Sequence, residues 1–198
     1  LNLPSILFND PVSVAIYMGE GNNLLSNLDD LLSNEDNYQH NLSSFVVIVD
    51  ADGKEIENVV KPYVDCFQKY FPNFPNQGGG INYSESTSTG IYVLPNNASQ
   101  GTLDQLLCQC GEVAYSEFMS RGKVYLENFT EDERKELKWK PFTYQKALIA
   151  TIVSVLKPGM TNTASISQNN WISEETKEGV DDLKKLVDFL TNVLKINE

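Results

Sequence analysis

Two aspartates end an apolar stretch of the chain in a pattern that suits metal binding. Residues 45–53 have the sequence FVVIVDADG, a β-branched run that finishes with Asp50 and Asp52. If the extended backbone continues through them, carboxylates at i and i+2 share one side of the strand, at the edge where open α/β sheets bind ligands. Two such close acids repel each other unless a cation lies between them, and their hard oxygens suit Mg²⁺ or Mn²⁺. The same spacing also fits a solvated turn in which Asp52 caps the following helix.

Alternating strands and helices are needed to position these acids. Nearly continuous apolar runs, typical of strands buried on both faces of a parallel sheet, occur at 12–18, 45–49 and 90–95. Helical stripes of apolar residues separate the runs, and Pro62 is expected to kink or break the second stripe. We therefore expect an α/β protein with a mainly parallel, Rossmann-like sheet and helices on both faces.

The rest of the sequence predicts a loop and a helical C-terminal part within a single domain, residues 1–198. Residues 72–89 contain two prolines, three consecutive glycines and a polar run, which predict a long mobile loop. Later helices are indicated by capping residues and apolar stripes. Their signals are Thr102, the capping box of Thr130 and Glu133, the apolar run 144–156, and Ser173 before one last helix.

Composition limits the class of protein. The 198 residues include 27 acidic and 15 basic side chains, a net charge of −12, which excludes a nucleic-acid binder that depends on electrostatics alone. The sequence lacks both a run of eighteen apolar residues and a signal-peptide pattern, so we expect a cytoplasmic protein without a membrane span. Three cysteines, two of them at Cys108 and Cys110 in an apolar helical pattern, predict reduced and packed thiols.

Several common catalytic sites are not supported. The single histidine, His40, lies in a polar stretch that offers it no partners for a zinc site or a nucleophile, so we interpret it as a loop residue. P-loop, GxSxG and HExxH patterns are absent from the sequence. ATP hydrolysis by this chain and serine or zinc hydrolysis are therefore unsupported.

Four segments together resemble an uncharacterised family of small stand-alone TOPRIM-like proteins. They are MGEGNNLLSNLDDLL (18–32), VVIVDADG (46–53), GIYVLPNNASQGTLDQLL (90–107), and QKALIATIVSVLKPGM with a later NNW (145–160 and 169–171). A strand that ends in Asp-x-Asp is similar to the acidic half of a TOPRIM domain, the metal-dependent fold of topoisomerases, primases and overcoming-lysogenization-defect nucleases. The resemblance implies a TOPRIM-like fold with Mg²⁺ or Mn²⁺ held by Asp50 and Asp52.

The resemblance also implies three catalytic candidates. The TOPRIM pattern has a general acid or base Glu after its first strand. Here we expect that strand to precede Leu1 or to be missing, which leaves Glu20 as the acid at a strand end ahead of Asp50. The pattern implies an acid at Asp104, and Lys146, in a shared segment, would contact a phosphate. Ordinary interpretations stay open, namely a turn for Glu20, a favourable helix N-terminus for Asp104 and an exposed helical lysine for Lys146.

The basic residues are segregated along the chain. Residues 121–146 hold seven of the fifteen, interleaved with aromatic side chains, while residues 1–53 hold none. Such a window could form a nucleic-acid or partner surface. Five acids in the same window reduce its net charge to +2 and favour an ordinary solvated helix surface.

Two functional hypotheses follow. The first is a TOPRIM-like protein that carries out metal-dependent phosphodiester hydrolysis or nucleotidyl transfer, with the metal at Asp50 and Asp52. The second is a non-catalytic TOPRIM-like module that binds an ATPase partner. The Asp-x-Asp pattern favours the first, whereas the net charge and the unseen upstream Glu favour the second. We expect little or no nuclease activity from the isolated chain, even with Mn²⁺.

Overall fold

The computed structural model describes residues 5–9, 12–19, 23–34 and 42–196. Within these ranges the strands form two separate sheets, and in chain order they are β1 (Ser5–Asn9), β2 (Val12–Ile16), β3 (Ser44–Asp50), β4 (Ile81–Asn82) and β5 (Ser88–Leu94). β1 and β2 pair antiparallel. In the other sheet β5 is central, with β3 parallel and β4 antiparallel to it. The register pairs Asp50 with Leu94, so both parallel strands end at the same edge.

Two of the three predicted strands pair as expected. The runs 45–49 and 90–95 supply the parallel strands β3 and β5. The prediction that residues 12–18 join the same sheet is wrong, because residues 12–16 pair with β1 in a sheet of their own. An apolar run specifies a strand but not its partner, and a strand only a few residues away closes a much shorter loop than one beyond a helix.

The helices agree closely with the apolar stripes. They are α1 (Leu24–Asn34), α2 (Ile56–Phe67), α3 (Leu103–Ala114), α4 (Ser116–Glu127), α5 (Glu131–Glu136), α6 (Thr143–Leu156), α7 (Asn162–Ser167), α8 (Glu174–Gly179) and α9 (Asp181–Leu194). α2 continues through Pro62, so this proline does not break the helix. Within the described residues, no helix is long and apolar enough to cross a membrane.

The capping signals mark real helix starts. At α5, the Thr130 N–H donates to Glu133 Oε2 at 2.7 Å and the Glu133 N–H donates to Thr130 Oγ1 at 3.3 Å, which confirms the predicted capping box. Ser173 also caps a helix, but that helix is the short α8. The single last helix predicted after Ser173 is wrong, because the backbone is extended at Val180 and α9 begins after it.

Helices cover both faces of the parallel strands, as predicted. Side chains of β3 and β5 alternate between the faces. One face packs on α1 and α2, with a core that includes Phe45, Val47, Ile91, Val93, Leu32, Val60 and Phe67. The other face packs on α3 and α9, with a core of Tyr92, Leu94, Leu106, Cys110, Val180, Leu183, Phe189 and Val193. The structure is therefore a mixed α/β fold in which β5 lies between two apolar layers.

A third apolar cluster lies among the later helices. Its fully buried members come from α4, α6 and the segment before α8, and they are Met119, Leu126, Leu148, Ile149, Ile152, Val153 and Trp171. Gly122 lets α4 approach α6 closely, because a Cβ there would lie 2.8 Å from Ile152 Cδ1. The helical C-terminal part thus has a core of its own.

Residues 72–89, expected to form a loop, include β4 and the first residues of β5, where Thr87, Ser88 and Thr89 are buried. The mobility of this segment stays a prediction.

A candidate acidic site at the carboxyl edge of the sheet

The backbone changes direction directly after β3. The Ala51 N–H donates to the Leu94 carbonyl at 3.1 Å, and the Asp52 N–H donates to the Gly101 carbonyl at 2.7 Å. Asp52 has a φ of 50°, in the left-handed region that Asp tolerates better than most residues. The extended geometry assumed for the Asp-x-Asp pattern therefore stops before Asp52. The two carboxylates still interact, since the charge of Asp52 raises the pKa of Asp50.

Asp50 is tied to the start of α3. Its Oδ1 accepts a hydrogen bond of 2.7 Å from the Leu103 N–H. Leu103 is the first residue of α3, so the carboxylate lies against free amides at the positive end of the helix dipole. The interpretation in which Asp52 caps the following helix is wrong, because the N-cap of α2 is Glu55 and that helix has no side-chain cap hydrogen bond. The aspartate that caps a helix is Asp50, and the helix is α3. Among the residues that the structure describes, the one hydrogen bond to the Asp50 carboxylate is the one from Leu103, so its second oxygen is available to another ligand.

Residues 101–104 form the facing side of the site. Gly101 bonds to the Asp52 backbone, Leu103 bonds to the Asp50 side chain, and Asp104 follows in the first turn of α3. Gly101 has a φ of 154°, and a side chain there would collide with Gln105. Moving the Gln105 side chain away would break a hydrogen bond, because its Oε1 accepts the Thr102 N–H at 3.1 Å.

A lysine from α6 completes the cluster. Lys146 Nζ lies 3.9 Å from Asp104 Oδ2, and the lysine side chain is 67% exposed against 26% for the aspartate. Such a long, solvated pair contributes little to stability. Lys146 is therefore free to exchange Asp104 for another anion. The structure brings together four of the five predicted site residues, Asp50, Asp52, Asp104 and Lys146, whereas Glu20 lies outside the described residues.

Burial leaves the acids of this cluster short of compensating charge. The pKa of Asp50 is raised, first by burial and then by the charges of Asp52 and Asp104, although the Leu103 N–H and Lys146 act in the opposite direction. The pKa of Asp104 is also raised, mainly by burial, with Lys146 opposing. A bound cation would offset this unfavourable field.

The donor set fits a divalent cation that is shared with other ligands. Asp50 and Asp52 offer hard carboxylate oxygens, the type that Mg²⁺ and Mn²⁺ prefer. Across the part of the chain that the structure describes, no group of three or more His, Cys, Asp or Glu side chains is placed to hold a metal ion. Mg²⁺ is usually held by one or two carboxylates together with waters and substrate phosphates. The residues present fit that mode and not an all-protein cage.

The basic window of the sequence is largely engaged elsewhere. Arg134 lies over the rings of Trp139 and Tyr144, at 5.3 and 5.6 Å from the ring centroids, and donates to the Leu126 carbonyl at 2.8 Å. Other bases of the window pair with acids, in the pairs Arg121–Glu117, Lys123–Glu112 and Lys135–Asp132. These contacts favour the interpretation of residues 121–146 as an ordinary solvated helix surface and not as a nucleic-acid-binding surface. His40 lies outside the described residues.

Comparison with known proteins places the chain in a family without assigning a role. A family model described as "Protein of unknown function (DUF3226)" matches residues 1–195, almost the whole chain. No curated protein matches the chain, and no solved structure matches it.

Proposed function

The chain belongs to the DUF3226 family of unknown function, and we propose that this member is a TOPRIM-like protein that binds Mg²⁺ or Mn²⁺ for phosphodiester hydrolysis or nucleotidyl transfer. The observation that supports the proposal best is the position of Asp50. It ends a parallel strand, it is partly buried beside Asp52 and Asp104, and its raised pKa reflects a negative charge without sufficient compensation. A carboxylate in such surroundings favours a cation over solvent.

Each residue has a distinct role in this proposal. Asp50 and Asp52 hold the cation, and the Leu103 N–H fixes one oxygen of Asp50 so that the carboxylate does not rotate. When bound, the cation would polarise a phosphoryl oxygen and promote ionisation of water. Lys146 leaves Asp104 and contacts the phosphate of the substrate. Asp104, whose pKa is raised, is then a candidate to hold or release a proton.

The same reasoning predicts weak activity from the chain alone. Water activation needs a positioned acid or base within hydrogen-bond reach, and Glu20 is the candidate for that role in addition to Asp104. The net charge of −12 opposes approach of a polyanion. Activity therefore requires a component that brings the substrate to the acidic edge.

Metal binding and cleavage test the proposal in turn. Mg²⁺ and Mn²⁺ are titrated into the chain while the melting temperature is recorded, and an increase is expected by linkage. Asp50→Asn is expected to abolish the increase, while Asp188→Asn, the same change at an exposed position of α9, leaves it intact. Plasmid and single-stranded DNA are then incubated with each protein. An equal metal response in Asp50→Asn, Asp52→Asn and the unmutated chain would contradict the proposed site.

A non-catalytic module is the second candidate, and the hairpin of β1 and β2 favours it. Ile6, Leu7 and Phe8 are 68%, 59% and 77% exposed, and uncharged strand edges are surfaces on which other strands pair. In this function the chain is a cytoplasmic partner of an ATPase. Asp50→Asn would then leave partner binding unchanged, whereas Phe8→Asp would weaken it, as measured by co-purification with the ATPase.

A further inference from the structure

The backbone of residues 101–103 contacts the two proposed metal ligands. The Gly101 carbonyl accepts the Asp52 N–H at 2.7 Å, and the Leu103 N–H donates to Asp50 Oδ1 at 2.7 Å. Both contacts use main-chain atoms of this segment, so their geometry depends on what fixes the segment at each end. The loop of residues 95–100 precedes it, and α3 continues from it.

One carboxylate, that of Asp182, bonds to both of these flanking parts. Asp182 lies in the first turn of α9, and its side chain is 12% exposed. Its Oδ2 accepts hydrogen bonds from Nδ2 of Asn96 at 3.0 Å and from Nε2 of Gln109 at 3.1 Å. Asn96 belongs to the loop and Gln109 belongs to α3. A single oxygen of α9 therefore connects the loop before Gly101 to the helix after it.

The Asn96 side chain carries this contact into the backbone of the loop. Its Nδ2 donates to Asp182, while its Oδ1 accepts the N–H groups of Ala98 and Ser99 at 3.1 and 2.9 Å. Hydrogen bonds to an ionised carboxylate are stronger than those between neutral groups, so Asp182 fixes the direction in which the Asn96 amide points. An acid in the first turn of a helix is favourable for that helix, but the helix dipole does not account for two donors that come from other elements.

We propose that Asp182 is a positioning residue for Asp50 and Asp52, the proposed ligands of the divalent cation. The inference rests on the proposed function and extends the support of its metal site to α9. Asp182 does not contact the cation in this role. It holds the loop and α3, and through them the main-chain groups that bond to the two acids. Replacing residues that orient metal ligands in this way commonly lowers metal affinity by about 10- to 100-fold.

A double replacement separates this role from a general loss of stability. Asp182→Asn leaves one acceptor facing two amide donors, and we expect Mn²⁺ affinity to fall by about tenfold or more. Combining it with Asn96→Asp reverses the direction of the bond, because the new amide donates to the new carboxylate and its oxygen still accepts from Gln109. The new carboxylate also still accepts the two N–H groups of the loop. The combined variant is therefore expected to recover most of the lost affinity.

Free Mn²⁺ is measured by electron paramagnetic resonance, at a temperature well below the melting temperature of every variant. Ile152→Val is the stability control, since it removes a methyl group from the third apolar cluster and destabilises the chain away from the loop. Its Mn²⁺ affinity should match that of the unmutated chain. Metal-free amide hydrogen exchange provides a second measurement. In Asp182→Asn, exchange of the Asp52 and Leu103 N–H groups should increase more than exchange of those in α6.

The outcomes distinguish this inference from the proposed function. If Asp182→Asn does not fold, Asn96→Asp alone takes its place in the comparison with the combined variant. Mn²⁺ binding that requires Asp50 but is equal in Asp182→Asn and the unmutated chain would overturn this inference and leave the proposed function standing. An affinity that falls equally in Ile152→Val, or that the combined variant does not recover, would assign Asp182 to stability alone and overturn it as well. Absence of Mn²⁺ binding by the unmutated chain would overturn both.

Discussion

The carboxylate of Asp50 accepts the backbone N–H of Leu103 at 2.7 Å. This hydrogen bond joins the last residue of a parallel strand to the first residue of a helix 53 residues later in the chain. Asp50 thus has a structural contact and a proposed metal contact on the same side chain. Variants at Asp50 must therefore be measured both for stability and for metal binding.

Asp50 is expected to make the metal-free chain less stable as the pH rises. Its pKa in the folded state lies above the ordinary 3.8 because of burial and the charges of Asp52 and Asp104. The folded state therefore binds this proton more tightly than the unfolded state. The resulting stability is complete below 3.8 and is lost as the pH rises through the folded pKa. Asp50→Asn removes this contribution. In urea unfolding from about pH 3.5 to pH 7, the free energy of unfolding should therefore fall less for the variant than for the unmutated chain. A steeper decline in Asp50→Asn than in Asp188→Asn would contradict this expectation.

Asp182 should show the opposite pH dependence. Burial alone would raise its pKa, but hydrogen bonds from Gln109, Asn96 and Lys185, at 3.1, 3.0 and 3.2 Å, outweigh burial and hold the pKa below 3.8. The stability that ionised Asp182 contributes is present above pH 3.8, and it is lost as the pH falls through the pKa of the folded state.

Asp182→Asn is therefore expected to destabilise the chain by about 1–3 kcal/mol at neutral pH, because three hydrogen bonds lose a charged acceptor whose side chain is only 12% exposed. Urea unfolding measures the change. Asp181→Asn, the same replacement at the exposed neighbouring position, serves as the control and should change stability by less than about 0.5 kcal/mol. Equal effects at the two positions would show that the Asp182 contacts do not contribute.

Gly101→Ala tests the turn that faces the acids. The φ of 154° at Gly101 and the collision of a Cβ with the Gln105 side chain both oppose the replacement. We expect a loss of about 1–3 kcal/mol from backbone strain, together with a weaker metal response, since the Asp52 contact shifts. Gly53→Ala is a matched control two residues beyond Ala51, where a Cβ has no atom within 4 Å. The prediction would be wrong if both variants melted at the same temperature.

Lys146→Met separates a substrate role from a structural one. Since the pair with Asp104 is long and exposed, its loss should change the free energy of unfolding by less than about 0.5 kcal/mol. Binding of a labelled single-stranded oligonucleotide in Mn²⁺, followed by fluorescence anisotropy, should weaken. Lys140→Met makes the same charge change at another exposed lysine of the window and should have a smaller effect. Equal weakening by both variants would point to general charge and not to a contact by Lys146.

Periodicity predicted the central part of the fold because local patterns determine it. The strands β3 and β5, the stripes of α1 and α2, and the cap at Thr130 all follow from spacing over a few residues. The pairing of residues 12–16 with β1 depends on which strand competes for them. The split of the last helix at Val180 depends on tertiary packing, because Val180 belongs to the core between α3 and α9.

The site was predicted as a set of residues but not as an arrangement. The Asp-x-Asp pattern identified Asp50 and Asp52, yet it gave no sign of the left-handed backbone at Asp52, which follows from the bond to Gly101. The role of Leu103 was missed because it donates through its backbone, and any residue type except proline could do so. Gly101 before Thr102 was the one available signal, since a glycine ahead of a helix start often marks a close backbone approach.

The connection between Asp50 and α3 makes the cysteines of that helix useful as reporters. Burial raises the pKa of Cys108 to about 12 and that of Cys110 to about 11, so neither forms appreciable thiolate near neutral pH while α3 stays in place. Cys110 is also fully buried, so its alkylation must wait for the helix to open. In a background with Cys66→Ser and Cys108→Ser, the alkylation rate of Cys110 therefore measures how often α3 detaches from the sheet. Any ligand that engages Asp50 without breaking its bond to Leu103 should slow that reaction, which provides an assay of occupancy at the sheet edge when the substrate is unknown.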